Sequence, residues 1–425
     1  MDQAFDPHRL KRHFPSLQRI VNGKPAIYFD GPGGTQTPKE VIDAVSSYLG
    51  RSNANLGGAF TTSKESDEVV HKARLAIADF FNASGPEEIA FGQNMTSLTF
   101  AASRAISKTW QSGDEVIVTR LDHDANITPW VTAAQEHDVT VRWWDIRPED
   151  CTLDIRELEQ LVNPKTRLVA VTYASNATGT IVDVAKVSEL AHQVGALVYV
   201  DAVHYAPHSP IDVQEIDCDF LAVSAYKFFG PHVGVFFGKY ELLESIEAYK
   251  VRPAPKLPPG KWETGTQSFE SLAGVTAAIE YLASIGKKYG LESSSEVAGR
   301  SGRPRHLGKA MRAIKGYEEG LSQYFLEQAT AVPGLKVYGI TDIERLSERT
   351  PTFAISMEGF TARQVAEYLA EQGIFVWDGH YYAVAVMERL GLLDSGGLVR
   401  IGLVHYNTKD EINRTIDSLR KLTSN

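Results

Sequence analysis

The chain reads as an α/β protein: a large unit built on a mostly parallel sheet, then a smaller C-terminal α+β unit. Three observations predict this. Between about residues 115 and 240, apolar runs alternate with amphipathic segments. Those runs are nearly continuous in aliphatic residues, as strands covered on both faces must be. After residue 309 the order changes to one long helical pattern, then short strands and a closing helix. A length of 425 residues, at roughly 150 per domain, suits two or three units rather than one core.

The candidate strands are "EVIVTRL" (115–121), "VTVRWWDI" (139–146), "RLVAVTYAS" (167–175), "ALVYVDAV" (196–203), "FLAVSAYK" (220–227) and "VGVFFG" (233–238). Helical periodicity lies between them in "TPWVTAAQEH", "DIRELEQLV" and "DVAKVSELAHQVG". "VRPAPKLPPGKWETGTQSF" (251–269) is a Pro- and Gly-rich ordered connection, and "SLAGVTAAIEYLASIGKKYG" returns to helix. The tract 292–308 reads as a surface loop or frayed helix end. The smaller unit follows with "LKVYGI", "TFAISMEG", "TARQVAEYLAEQG", "GIFVWDGHYY" and "LVRIGLVHYNTKDEINRTIDSLRKLT". The expected boundaries are an N-terminal segment 1–25 that packs on the small unit, a large unit 26–285 and a small unit 286–425.

Composition narrows the function. Apolar residues are 43% and charged residues 23%, the balance of a soluble globular chain. No run approaches the ~20 apolar residues of a membrane span, and no secretory leader is visible. The net charge of −10 argues against a nucleic-acid surface. The two cysteines, Cys151 and Cys218, form no C-x-x-C pair; this disfavours disulfides and cysteine metal sites and points to the cytoplasm. No metal is expected.

In open parallel sheets, ligands bind outside the carboxyl ends of the strands. Asp201 ends one strand in "VDAVH", with His204 three residues on, and Lys227 ends the next in "SAYK". One crossover separates them, so an acid and an amine share one crevice. That pairing suits pyridoxal phosphate, which takes a Schiff-base lysine and a carboxylate at its ring nitrogen. "FGQNMTSLTFAAS" puts Thr96 and Ser97 at a helix N-terminus, where free N–H groups attract a phosphate. His123, in "TRLDHDANITPW", offers a flat ring to stack on the cofactor. Asn176, in "ASNATGT", is within reach of its phenolic oxygen. Arg400, in "LVRIGLVHYNT", offers the fork that grips a substrate carboxylate. Singly, each has an ordinary reading as cap, ion pair or turn; their order along the chain is what points to the cofactor.

These segments, with "YFDGPGGT" (28–35) and "ETGTQSFESLAG", resemble the class V aminotransferase family of fold-type I pyridoxal-phosphate enzymes, in its cysteine desulfurase/selenocysteine lyase branch. The resemblance implies a mainly parallel seven-stranded sheet, Lys227 as the Schiff-base lysine, Asp201 at the ring nitrogen and His123 on the ring face. Thr96, His204 and Ser224 would serve the phosphate and ring edge. Thr266 would reach the phosphate of a second subunit, implying a homodimer, and Arg400 would hold an amino-acid substrate. His380 and Tyr382 are expected in the substrate pocket.

The chain also departs from that branch. Tyr382 stands where desulfurases carry the cysteine that accepts sulfur, and a phenol of much higher pKa cannot replace a thiolate nucleophile. His204 replaces a Gln, in the manner of isopenicillin-epimerase-like members. Tyr226 replaces a His, and "NLGGAF" (55–60) lacks an Arg. Burial among Tyr226, Phe228 and Phe229 should lower the pKa of Lys227 so that the amine serves as nucleophile and then as base at Cα. The expected outcome is β-elimination from a sulfur- or selenium-substituted amino acid. Transamination or epimerisation, and a non-catalytic cofactor-binding scaffold, are the alternatives.

Overall fold

The computed structural model describes residues 4–290 and 300–422. Its central element is a seven-stranded sheet of β1 (Ile89–Gly92), β2 (Glu115–Thr119), β3 (Thr140–Trp144), β4 (Thr166–Thr172), β5 (Leu197–Asp201), β6 (Phe220–Ser224) and β7 (Gly234–Gly238). The spatial order is β1-β7-β6-β5-β4-β2-β3. Only β7 runs against its neighbours. Every residue of β2, β6 and β7 is buried, which is why these runs are apolar at consecutive positions. Helices α1 (Lys39–Arg51), α2 (Thr61–Phe81), α3 (Met95–Ile106), α4 (Thr128–Glu136), α5 (Ile155–Leu161), α6 (Val184–Gln193) and α7 (Phe269–Tyr289) surround it. A second core forms around α8 (Gly302–Ala329) and an antiparallel sheet of β8 (Leu335–Tyr338), β9 (Thr352–Met357), β10 (Trp377–Gly379) and β11 (Leu398–Gly402), in the order β8-β9-β11-β10. Helices α9 (Ala362–Glu371) and α10 (Lys409–Leu422) complete it.

Two features join the halves. Near the start of the chain, Ile27–Tyr28 pairs in parallel with Ile374–Phe375. Helix α7 packs on α1, α2 and α8, and its Gly286 lies so close to the His306 carbonyl that any side chain there would clash. The N-terminal segment touches both halves: Phe5 stacks on Tyr317 at 4.6 Å, Lys11 pairs with Glu411, and Phe14 packs edge-on against Tyr281 at 5.5 Å.

Three expectations needed correction. Strand β1 was missed because four residues before a polar helix start give too short a pattern. Residues 292–299 of the tract 292–308 lie outside the described residues, and from Gly302 it is helix with Leu307 buried. "GIFVWDGHYY" is two short strands and a turn, because Tyr381 and Tyr382 take left-handed φ angles of 51° and 59°.

Candidate active site

A cavity of about 840 Å³ opens where the carboxyl ends of β2, β4, β5 and β6 face the small sheet. Helix α3 reaches it because Gly234 in β7 has no side chain; a Cβ there would fall 2.5 Å from the Asn94 carbonyl carbon. At that helix start, Ser97 N–H donates to Asn94 Oδ1 at 2.9 Å and Met95 N–H to Ser224 Oγ at 3.0 Å. Thr96 lines the cavity at the positive end of the helix, and its N–H has no acceptor among the described residues.

Lys227 follows β6 on a single 3₁₀ turn, and its Nζ donates to the Pro32 carbonyl. Burial, then the positive charge of Arg400, push its pKa down to about 7, against the pull of Asp201 and Asp30. Asp201, at the end of β5, accepts from Val203 N–H at 2.9 Å, and burial lifts its carboxyl to about 6. Asp122 lies deeper, gripped by Thr119 and by Asn126 Nδ2 at 2.7 Å; burial pushes it up to about 8, and Asp201 adds to that.

His123 follows β2. Its Nδ1 accepts from Ala125 N–H at 3.0 Å, so the neutral ring carries its proton on Nε2. Burial and the charges of Lys227 and Arg400 lower its pKa to about 4. His204 meets Thr350 Oγ1 through Nε2 at 3.1 Å and is held well below its ordinary pKa, first by burial and then by His208. Asn176 donates from Nδ2 to the Tyr381 carbonyl at 2.9 Å, which leaves its Oδ1 unpartnered. Arg400, on β11, donates from Nη1 to the Asn176 carbonyl at 2.9 Å and lies over the Tyr381 ring at 4.4 Å. Burial lowers its pKa to about 10.

Thr96, His123, Asn176, Asp201, His204, Ser224, Lys227, His380, Tyr382 and Arg400 all line this one cavity. Two expected residues do not. The Ser97 hydroxyl instead donates to the Asn94 carbonyl at 2.9 Å, closing the helix cap. Thr266 is exposed and outside the cavity of its own chain.

Sequence reasoning missed the strap Asp30–Gly34. Pro32 and Gly33 line the cavity, and a side chain on Gly33 would run into Trp377. Asp30 is raised to about 6 by burial while Arg400 and Lys227 hold it down, and its Oδ1 is unpartnered. An acid closing a short apolar run in "YFDGPGGT" was the available signal. The tyrosine turn was missed too. Its two left-handed non-glycine residues cost about 1–3 kcal/mol each, which marks a site held by its surroundings.

Pyridoxal phosphate fits this cavity. Asn176 Oδ1 and Arg400 Nε, on two residues that line the cavity, lack partners that a bound group can supply. A near-neutral amine, a buried acid, a flat imidazole and an open helix N-terminus surround the space it needs. Among the described residues no group of three or more His, Cys, Asp or Glu can hold a metal, and no helix is long and apolar enough to cross a membrane.

Comparison with known proteins agrees. Residues 27–299 and 306–415 match the family described as aminotransferase class-V. A cysteine desulfurase of Pectobacterium atrosepticum is 31% identical over 434 residues, covering 99% of this chain and 98% of that one. The cysteine desulfurase of Synechococcus elongatus is also 31% identical over 443 residues, but this chain spans only 64% of it. The apo cysteine desulfurase of Thermococcus onnurineus superposes with a TM-score of 0.87 at 24% identity, over 100% of both chains. A C-DES variant with glycine covalently linked to its pyridoxal phosphate gives 0.76 at 18% identity, over 96% of this chain and 98% of that one. At these identities the two structures speak for the fold alone.

Proposed function

The chain belongs to the class-V aminotransferases, a family of pyridoxal-phosphate-dependent enzymes, and from that premise we propose that it is a lyase that eliminates a β-substituent from a sulfur- or selenium-substituted amino acid. The observation that carries this reading is the Lys227 amine, with its pKa lowered to about 7, in one cavity with Asp201 and Arg400 while neither cysteine lies there. Cys151 and Cys218 are fully buried elsewhere, and burial pushes the Cys151 thiol up to about 12. A sulfur acceptor needs an exposed thiolate of low pKa. Tyr382 takes the place where such a cysteine stands in the desulfurase branch.

When bound, the cofactor supplies an electron sink for negative charge at Cα. Lys227 would hold it and, free and neutral, would take the Cα proton on Nζ. Asp201, a buried acid whose charge Lys227 favours, holds the ring-nitrogen proton. Arg400 fixes the substrate carboxylate with its fork, so that Cα lies within reach of Nζ. His123 would offer its imidazole face to the cofactor ring, with Nε2–H as a donor. Thr96, His204 and Ser224 would hold the phosphate and ring edge, and Thr266 would reach the phosphate of a second copy in a homodimer. Buried free thiols suit the reducing cytoplasm.

The test offers S-substituted cysteines and selenocysteine to the holoenzyme and measures pyruvate, ammonia and the released thiol or selenol together. Their equimolar release supports the reading. Turnover with no pyruvate overturns it. His204, a histidine where the desulfurase branch has glutamine, favours a second reading: transamination or epimerisation, seen as keto-acid formation or loss of an α-deuterium without pyruvate.

A further inference from the structure

Two adjacent tyrosines of the cavity wall, Tyr381 and Tyr382, contact the catalytic groups and their loops through both their rings and their carbonyls. The Tyr382 ring stacks on the His123 imidazole with centroids 5.4 Å apart and planes 18° from parallel. The Tyr382 carbonyl accepts the Asp124 N–H at 2.7 Å, one residue beyond His123. Its own N–H donates to His380 Nδ1 at 3.1 Å. The Tyr381 ring lies beneath the Arg400 guanidinium, and its carbonyl takes the Asn176 amide hydrogen. These contacts need the carbonyls to point toward the loops of the large sheet, which the left-handed backbone at both positions provides.

The hydroxyls play a different part. Tyr381 donates its own to the Leu398 carbonyl and is buried, which commits that group to structure. The Tyr382 hydroxyl makes no hydrogen bond among the described residues, and the residue is 66% exposed. What Tyr382 contributes is therefore a flat face behind His123 and a carbonyl beside it.

We infer that Tyr382 is a positioning residue which holds His123 as a neutral, Nε2-protonated ring parallel to the cavity face, acting through its aromatic ring and not its hydroxyl. This deepens the reading above and rests on it, since His123 is the residue that would lie on the cofactor. The Tyr382 ring covers one face of the imidazole, and both residues belong to the cavity wall. Its Nδ1 is already engaged by Ala125 N–H, so tilting the ring would break that hydrogen bond as well. The effect on His123 is one of orientation and water exclusion. Without the ring behind it, water reaches the imidazole and one of the causes that keep it neutral weakens.

The test is histidine-selective ¹⁵N NMR on the full-length apo chain, with the His123 signals assigned by their loss in His123→Asn. The wild type and Tyr382→Phe should both show a single neutral Nε2–H ring with the same pH midpoint. Tyr382→Leu should show mixed tautomers and a midpoint raised by about half to one pH unit, because water reaching the ring favours its charged form. Tyr382→Gly removes the ring while favouring the same backbone, so it serves if the leucine variant does not fold. Identical His123 signals in the ring-deleted variants overturn the proposal. So does a Phe variant that behaves like the Leu one, because the hydroxyl would then be the active part. The cofactor absorbance of the holoenzyme depends on Lys227 and is recorded separately. Its absence counts against the functional reading, while the apo NMR result stands by itself.

Discussion

The cavity has two walls, built by opposite means. On the large-sheet side, Asp201 and Lys227 are placed directly by the ends of β5 and β6, within a few residues of fully buried strands. On the small-sheet side, Arg400 comes from β11, but His380–Tyr382, after β10, form a strained turn with aromatic contacts. The first wall gains precision from rigid strands, and burial there tunes charge, lowering Lys227 and raising Asp201. The second keeps an exposed mouth, where Tyr382 and the half-exposed Trp377 meet solvent. The wall built from strand ends suits a resident group of fixed shape, and the wall built from a turn suits choosing among substrates.

The largest effect should come from Lys227→Ala, which ought to abolish both turnover and the visible band of the loaded enzyme. A band that survives would show that another group holds the cofactor. Asp201→Asn removes a charge-assisted hydrogen bond worth about 1.5–3 kcal/mol, so turnover should fall roughly tenfold to a hundredfold while the band remains. Arg400→Lys tests the other wall. Losing the fork should raise KM roughly tenfold and leave the spectrum without substrate unchanged. A changed spectrum would blur the division between the walls.

The pH dependence tests the burial of Lys227 directly. With its folded pKa near 7 against an ordinary 10.5, the native state binds fewer protons than the unfolded state between those values. This group therefore makes the fold more stable as pH rises through that window, and adds nothing further above it. In the apo protein, acylation of Lys227, followed by peptide mass analysis, should accelerate up to about pH 7 and then level off. Acceleration continuing to pH 10 would place the amine in water. The smallest effect is expected from Cys151→Ser combined with Cys218→Ala, which should change turnover less than about twofold, because neither thiol lines the cavity. A loss of sulfur release in that variant would restore a cysteine to the chemistry.

The same division explains what the sequence disclosed. Strands β2 and β4 to β7 were legible because burial on both faces forces unbroken apolar runs, and the residues after β2, β4, β5 and β6 fall in the cavity. Asn94 showed the limit of residue type. A polar residue before "MTSLTF" marked the helix start, but which hydroxyl faces the cavity depended on the cap that Ser97 closes. Asp122 and Asp30 drew no notice, since an acid beside a histidine or a glycine looks like any surface loop until the core closes over it. The tyrosine turn was illegible for another reason: neither residue favours the left-handed backbone by itself, and the surroundings impose it.

The pairing of Ile27–Tyr28 with Ile374–Phe375 reaches across most of the polypeptide. The strap that follows, with the Pro32 carbonyl that receives Lys227, is translated well before the segment that its neighbouring strand pairs with. At ribosomal speed that wait is on the order of tens of seconds, and the large sheet can assemble meanwhile. A nascent chain truncated before residue 374 would therefore carry a formed sheet with its lysine still uncovered.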